Sequence, residues 1–169
     1  DHKYVFSTIG YNLKPLDLQG AVGLVQLEKF DEVHSKRRAN YKFIASLFED
    51  YYFSIKVPRE NAKAEVSWFG VPLVFDNKEL KHELQQYLED NGIQTRNYFA
   101  GNLLLHPGYK HLGEAKEFEN AYQVLDKVFF VGCHPGLTDE HLSHIEDTVN
   151  NFMSQKTVLA DGYSVTVAS

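Results

Sequence analysis

Residues 10–19 read Gly10-Tyr11-Asn12-Leu13-Lys14-Pro15-Leu16-Asp17-Leu18-Gln19, and Gly20, Ala21 and Gly23 follow them. Pro15 and Asp17 suit the first turn of a helix, because proline has no amide hydrogen to lose there and a carboxylate is stabilised by the helix dipole. We predict a helix over about residues 15–30, the small-residue helix, after an extended arm over 1–14. Each glycine in it costs about 1 kcal/mol relative to alanine. We therefore expect this helix to pack closely against another element or subunit.

Two polar residues, Asn12 and Lys14, precede the small-residue helix. Both are available as polar contacts from the loop. Asparagine is also a common turn residue, since its side chain accepts hydrogen bonds from nearby backbone. Taken alone, the residues favour the turn role for Asn12.

Helical and strand patterns alternate along the rest of the chain. The second helix has an apolar face and, in Lys36, Arg37, Arg38 and Lys42, a basic outer face. The break near residues 30–31 is weakly marked, so one long bent helix fits almost as well. The tail alternates over Tyr163-Ser164-Val165-Thr166-Val167, which is compatible with a strand. The predicted helices cover 31–52, 77–91, 117–126 and a segment capped by Thr138, and the predicted strands cover 53–57, 67–75, 93–99 and 127–132. This order predicts one α/β or α+β domain.

Composition limits the class of protein. The chain has 169 residues, 43% of them hydrophobic, and a net charge of −6, which disfavours a nucleic-acid-binding role. The longest apolar run, residues 128–133, is far shorter than the roughly 20 residues of a membrane helix, so we expect no membrane insertion. Cys133 is the single cysteine and excludes an intrachain disulfide. We therefore expect a cytoplasmic protein. Residues 1–4 resemble mid-protein sequence, and we expect the chain to be a fragment.

Motifs that define a complete active site are missing from the sequence: no glycine-rich phosphate loop, no nucleophile elbow and no His-Glu-x-x-His. His141 and His144 have helical spacing, but two histidines on the charged side of a helix are more often solvated than metal-bound, and we predict no metal site. Cys133 ends an apolar strand, where a free cysteine usually serves as a small hydrophobic residue. We assign Trp68 and Phe69 to the core.

One stretch, Gln94-Thr95-Arg96-Asn97-Tyr98-Phe99-Ala100-Gly101-Asn102-Leu103, delivers an arginine, aromatic rings and an amide from a strand into a glycine-containing loop. The guanidinium of Arg96 suits a diphosphate group. It suits a surface carboxylate equally well. Spacing alone leaves both readings open.

Several blocks of sequence, in this order, carry a family resemblance. They are Asp1-His2-Lys3-Tyr4, Gly10-Tyr11-Asn12-Leu13-Lys14, Ala21-Val22-Gly23-Leu24 with Gln26-Leu27-Glu28, Ser67-Trp68-Phe69-Gly70, Gly92-Ile93 with Thr95-Arg96, Phe99-Ala100-Gly101-Asn102-Leu103, and Pro135-Gly136-Leu137-Thr138. Together they resemble the C-terminal part of the DegT/DnrJ/EryC1/StrS family of pyridoxal-phosphate enzymes, with most likeness to the CDP-4-keto-6-deoxyglucose 3-dehydrase branch. The resemblance covers residues 1 to about 153.

The resemblance implies an aspartate-aminotransferase-like fold, of which this chain is the C-terminal small domain, with helices packed on a small, largely antiparallel sheet. Residues 1–30 would be an interdomain arm and interface helix, 31–153 the small domain and 154–169 a tail. The residue that faces the cofactor, lysine in aminotransferases and histidine in 3-dehydrases, would lie upstream beside a Gly-Glu-Gly-Gly stretch. The cysteines of an iron–sulfur cluster, where present, would also lie upstream.

The implied activity is a nucleotide-sugar 3-dehydratase dependent on pyridoxal or pyridoxamine phosphate. Such an enzyme removes the C3 hydroxyl of a 4-keto-6-deoxyhexose for lipopolysaccharide or other deoxysugar biosynthesis, and the fragment alone would be inactive. A sugar aminotransferase of the same family is the alternative. A non-catalytic assembly domain is a third hypothesis. Thr8 stands where the resemblance leads us to expect histidine, which leaves the substrate open.

The resemblance also assigns site residues. Asn12 would reach the phosphate of the cofactor across a homodimer interface formed by the small-residue helix, and Lys14 would add charge nearby. The nucleotide-diphosphate sugar would be contacted by Tyr4, Arg96, Phe99, Asn102 and Tyr109, with Arg96 on the diphosphate. No catalytic residue and no metal ligand is expected in this chain.

Overall fold

A computed structural model of the chain describes residues 8–11, 13–158 and 164–166, and the side chains among them except those of 157, 158 and 164–166. Tyr4 and Asn12 lie outside the described residues. The chain divides into two compact units, Asp1–Val33 and His34–Ser169, and each is treated separately below.

The first unit contains helix α1, Asp17–Glu28. The backbone N–H of Leu16 donates to Oε1 of Gln19 at 2.9 Å, which satisfies one amide at the helix start. No residue of α1 is buried. A Cβ added to Gly20 or Gly23 would meet nothing within 4 Å. The close packing that we expected for the small-residue helix is therefore not made with the described part of this chain.

Helix α2, Phe30–Ser46, is separate from α1, because the N–H of Lys29 bonds back to Gln26 and Leu27 and ends the first helix there. The prediction that α2 extends to residue 52 is wrong. After Ser46 the chain tightens, with Phe48 N–H bonded to the Ala45 carbonyl, and a 3₁₀ turn follows at Glu49–Tyr51. This turn directs the chain into the first strand.

The predicted basic outer face of α2 is wrong for Arg37 and Arg38, which are half-buried. Arg37 donates to the Trp68 carbonyl at 3.1 Å. Arg38 forms a bidentate pair with Glu60 at 2.8 and 2.9 Å and donates to the Val66 carbonyl at 3.0 Å. Both arginines thus fasten the chain between residues 58 and 69 to α2.

This pair makes stability depend on pH. The hydrogen bonds from Arg38 lower the pKa of Glu60 to about 2, from a usual value of 4.5. Because the folded-state pKa is depressed, the stabilisation is complete above pH 4.5 and is lost as the pH falls towards 2. We expect Glu60→Gln to lower the urea midpoint at neutral pH and to flatten its decline below pH 4.5.

The control for this experiment is Glu49→Gln, which removes an exposed carboxylate that makes no hydrogen bond or ion pair with the described residues. Urea midpoints measured from pH 2 to pH 7 should decline in parallel for this control and the unsubstituted chain. A Glu60→Gln curve parallel to both would contradict the prediction.

The sheet of the second unit has four antiparallel strands in the order β1-β2-β4-β3. Their bounds are Ile55–Lys56, Gly70–Phe75, Thr95–Asn97 and Val128–Gly132 for β1, β2, β3 and β4. Strand β2 begins three residues later than the predicted start at 67, because its pairing with β4 begins at Gly70↔Gly132. Strands β1 and β3 form the two opposite edges of the sheet.

Three further helices complete the unit: α3 (Lys78–Asp90), α4 (Glu119–Lys127) and α5 (Asp139–Ser154). Asn77 caps α3 by accepting from the Leu80 N–H at 2.8 Å, and Thr138 caps α5 as predicted. The core lies between α2, α3, α5 and one face of the sheet. Its fully buried members include Ile44, Phe48, Val71, Leu73, Leu84, Leu88, Phe129 and Val149.

Cys133 is fully buried in this core, and its thiol donates to the Trp68 carbonyl at 3.3 Å. Burial raises the pKa of the Cys133 thiol, which keeps it protonated and unreactive. The prediction of a small hydrophobic role is confirmed.

A second, two-stranded sheet pairs β5, Lys156–Val158, with β6, Ser164–Thr166. The described part of the alternating pattern in the tail, Ser164–Thr166, therefore forms a strand. In the parts of the chain that the structure describes, none of the helices combines the length and the apolar character needed to cross a membrane.

Candidate functional site

An aromatic cluster, Phe69, Tyr98, Phe99 and Phe130, lies on the sheet face away from the core. Successive strand residues point to opposite faces, so Phe130 leaves the core that Phe129 enters. The ring of Phe130 is the centre: its centroid lies 5.6 Å from that of Phe69, 6.4 Å from that of Tyr98 and 5.9 Å from that of Phe99. Phe69 and Phe99 are 65% and 70% exposed. Phe69 and Phe99 thus form an exposed aromatic surface around Phe130, which is itself buried.

The sequence prediction that Phe69 belongs to the core is wrong, because Phe69 directly precedes β2 and points to the open face of the sheet. Trp68 takes the opposite direction. It is half-buried against the core and stacks on Tyr41, with ring centroids 4.4 Å apart and planes at 10°. The prediction for Trp68 is confirmed.

Arg96 lies beside the aromatic cluster. In the register of β3 and β4, it pairs directly with Phe130. It is exposed, and its guanidinium makes no hydrogen bond or ion pair with the described residues. Arg96 therefore does not form, with any described residue, the ion pair with a surface carboxylate that the sequence left open. An exposed cation with no partner in the described ranges, beside exposed aromatic rings, can hold a phosphate group and stack a flat ring.

The loop after β3 presents Phe99 in a constrained backbone. Phe99 has φ of 53°, a left-handed conformation that is uncommon for an aromatic residue. Gly101 follows with φ of 61°, and a Cβ there would lie 2.8 Å from Cβ of Leu125 on α4. Glycine at this position allows the loop to approach α4 closely. The rest of the loop contains 3₁₀ turns at Leu103–Leu105, Lys110–Leu112 and Ala115–Glu117.

Asn102 holds this loop together. It is only 3% exposed, and its Nδ2 donates to the Ala115 carbonyl at 2.9 Å while its Oδ1 accepts from the Leu104 N–H at 3.0 Å. Both ends of the amide therefore bond within the loop. Tyr109, a later residue of the same loop, is exposed.

Lys81 anchors the end of β3 from α3. It is 2% exposed, and its Nζ donates to Oδ1 of Asn97 at 2.8 Å. Burial lowers the pKa of the Lys81 ammonium, and the charge of Asp126 partly opposes this shift. Burying an ammonium costs free energy unless it is hydrogen-bonded, so breaking the bond between Lys81 and Asn97 is unfavourable. This bond therefore fixes the end of β3, next to Arg96 and Tyr98.

The structure brings together Arg96 and Phe99 of the predicted site. Lys14 is exposed in the first unit. Sequence analysis missed Phe69 and Tyr98 as exposed members of the aromatic cluster and Phe130 as the buried ring at its centre. The alternation of β4 was a usable signal, because Phe130 must face away from its neighbour Phe129.

The two histidines with helical spacing serve local structure. Nδ1 of His141 lies 2.9 Å from Oγ1 of Thr138 at the start of α5, and Nε2 of His144 lies 2.9 Å from the Asn91 carbonyl. Within the described ranges, no group of three or more histidine, cysteine or acidic side chains could hold a metal ion.

Known proteins are similar in sequence to most of this chain. The chain is 34% identical to the lipopolysaccharide biosynthesis protein RfbH of Salmonella typhimurium, over 90% of the chain and 36% of RfbH. It is 32% identical to the dTDP-4-dehydro-2,6-dideoxy-D-glucose 3-dehydratase of Saccharopolyspora spinosa, over 93% of the chain and 35% of that protein. The chain thus spans about a third of the length of these relatives.

Solved structures of related proteins have the same fold as this chain. The GDP-4-keto-6-deoxy-D-mannose-3-dehydratase of E. coli with bound hydrated PLP superimposes with a TM-score of 0.70 at 26% identity, over 86% of this chain and 38% of that one. The predicted fold class is confirmed, namely helices on the small antiparallel sheet of the PLP-dependent aminotransferase fold. The family model for the DegT/DnrJ/EryC1/StrS aminotransferase family matches residues 1–150. The chain belongs to the DegT/DnrJ/EryC1/StrS aminotransferase family.

Proposed function

We propose that this chain is the C-terminal domain of a nucleotide-sugar 3-dehydratase that removes the C3 hydroxyl of a 4-keto-6-deoxyhexose. The observation that carries the proposal is the exposed Arg96, which has no hydrogen-bond or ion-pair partner among the described residues, beside the aromatic cluster. A guanidinium binds a diphosphate with two parallel hydrogen bonds, and open rings stack on a nucleotide base. The 3-dehydratases among the relatives support the reaction class.

In this proposal each residue of the site has a distinct task. Arg96 binds the diphosphate, and Phe99 and Tyr109 contact the base or the sugar and exclude water. Asn102 acts through the loop, because its amide already bonds to Ala115 and Leu104. Tyr4, from the arm, adds a further substrate contact.

The proposed cofactor is pyridoxal or pyridoxamine phosphate, held in part by Asn12 and Lys14. An amide and an ammonium are suitable phosphate donors, and Lys14 is exposed, so the donor set fits the group. The cofactor supplies an electron sink for cleavage next to the keto carbon. The sequence contains no Gly-Glu-Gly-Gly stretch, and we propose that the residue facing the cofactor, and the cysteines of any iron–sulfur cluster, belong to another part of the protein. On this proposal the chain alone is inactive.

Assembly is the proposed role of residues 1–30, as interdomain arm and interface helix. Helix α1 has no buried residue, and Leu18, Val22, Leu24 and Leu27 are all exposed. Apolar patches of this kind usually mark an interaction surface. We propose a homodimer through α1, with 31–153 as the small domain, 154–169 as its tail, and a cytoplasmic location that suits the reduced Cys133.

The alternative is a sugar aminotransferase, which the description of the matching family favours. The two differ in the residue that faces the cofactor. Absorbance spectra of the whole protein purified with pyridoxal phosphate, before and after borohydride, distinguish them. Cofactor that binds but is released on denaturation after borohydride is expected for the dehydratase. Covalent trapping on a lysine would indicate an aminotransferase, and absence of bound cofactor would indicate a non-catalytic assembly domain.

A further inference from the structure

A groove of about 960 Å³ lies at the β1 edge of the sheet, between that strand, the C-terminal half of α2 and the segment that follows β1. Its wall includes the stacked pair Tyr41–Trp68, and its floor includes the buried side chains of Phe48 and Ile55. The Tyr41 hydroxyl donates to the Pro58 carbonyl and holds the segment after β1 in place. The groove has the size and apolar lining of a small-molecule site.

This groove is separate from the aromatic cluster. Arg96 lies on β3, and β2 and β4 stand between β3 and β1. Strands in a sheet are about 4.8 Å apart, so the two edges are about 14 Å apart. A ligand in the groove therefore occupies a different site from the nucleotide sugar proposed above.

Three exposed cations line the groove: Lys42, Lys56 and Arg59. None makes a hydrogen bond or ion pair with the residues that the structure describes. Arg38 also lines the groove, but Glu60 neutralises it, and Glu49 is the remaining carboxylate. The groove is thus locally positive on a chain whose net charge is −6. This charge favours an anionic ligand.

Aromatic side chains in the groove favour a ligand that contains a planar ring as well as an anionic group. Tyr52 lines the groove and is 56% exposed, although its ring packs against Phe53 with centroids 3.9 Å apart, and Trp68 is only half-buried. A flat ring can stack on such surfaces, while a charged group reaches the lysines. We propose that this groove binds a nucleoside diphosphate, a ligand with a planar base and a multiply charged anion. The site is additional to the one proposed for the reaction.

Trp68 reports on the groove directly, because it is the single tryptophan of the chain. Titration of the 169-residue chain with uridine diphosphate should change Trp68 fluorescence saturably. Inorganic pyrophosphate and uridine, which each supply half of the ligand, should bind at least tenfold more weakly. Binding of pyrophosphate as tight as that of uridine diphosphate would overturn the proposal, because the rings would then contribute nothing.

Variants locate the binding. Lys42→Ala combined with Lys56→Ala should weaken uridine diphosphate binding about tenfold or more, because the two lysines supply charge-assisted contacts to the diphosphate. Tyr52→Ala should also weaken it. Lys78→Ala, which removes an exposed lysine outside the groove, should leave it unchanged.

Arg96→Ala separates this proposal from the proposed function. It should leave the Trp68 response intact, even where it abolishes nucleotide-sugar binding at the other edge of the sheet. Loss of the response in Arg96→Ala, no response in the unsubstituted chain, or equal weakening by Lys78→Ala would each overturn the groove as a nucleoside diphosphate site.

Discussion

Gly101→Ala should lower the free energy of unfolding of the chain by about 3 kcal/mol. Two costs add at this position. The left-handed backbone costs an L-residue about 1 to 2 kcal/mol. The new Cβ would also lie 2.8 Å from Cβ of Leu125, and such overpacking typically costs about 1 to 3 kcal/mol. Urea unfolding followed by circular dichroism measures the sum.

Two glycines of the same chain provide matched controls. Gly92 has φ of 77° but nothing within 4 Å of an added Cβ, so Gly92→Ala isolates the backbone cost of about 1 to 2 kcal/mol. Gly108 has open space and no left-handed backbone, so Gly108→Ala should change stability by no more than about 0.5 kcal/mol. A Gly101→Ala value equal to that of Gly92→Ala would show that the contact with Leu125 costs nothing.

If the protein has the proposed function, Arg96→Ala should raise the KM of the whole protein for the nucleotide sugar about tenfold to a hundredfold. Charge-assisted hydrogen bonds contribute about 1.5 to 3 kcal/mol each, and every 1.4 kcal/mol is a factor of ten. Because the diphosphate is remote from the carbon that reacts, kcat should fall much less. Steady-state kinetics with the nucleotide sugar separate the two constants.

A conservative variant sharpens this test. Arg96→Lys keeps the charge but loses the planar fork, so it should recover only part of the affinity. Lys78→Ala is the control for net charge. If Arg96→Ala leaves KM unaltered, Arg96 is not a diphosphate ligand. If Arg96→Lys behaves like the unsubstituted protein, the guanidinium geometry is unimportant.

Local signals were sufficient for the order of the elements. The Thr138 cap and the apolar periodicity lie within single segments, and the two helices followed by β-β-α-β-α-β-α are all found. Element ends depend on distant residues. Strand β2 begins at Gly70 because its hydrogen-bonded pairing with β4 begins there. Helix α2 ends before a 3₁₀ turn, and Phe48, just ahead of that turn, enters the core.

The candidate site also has some features that local sequence predicts and others that depend on distant residues. Arg96 and Phe99 were found because one short stretch contains both. The open position of Phe69 depends on a bend at that residue, before β2 begins, and on packing of its ring against Phe130, about sixty residues later in the sequence. The half-buried state of Arg38 depends on the segment around Glu60 folding over it. Neither long-range pairing is encoded by spacing within one segment.

Helix α1 has a thermodynamic consequence for the whole molecule. It has 12 residues, includes two glycines and buries none of its side chains. A helix of this length is marginal in water by itself, because nucleation is costly and packing supplies most helical stability. The free energy that keeps α1 helical must then come from whatever surface covers it. If α1 forms the homodimer interface proposed above, helix formation in this segment and assembly are one coupled equilibrium, and dilution should melt α1 while the core of the second unit stays folded.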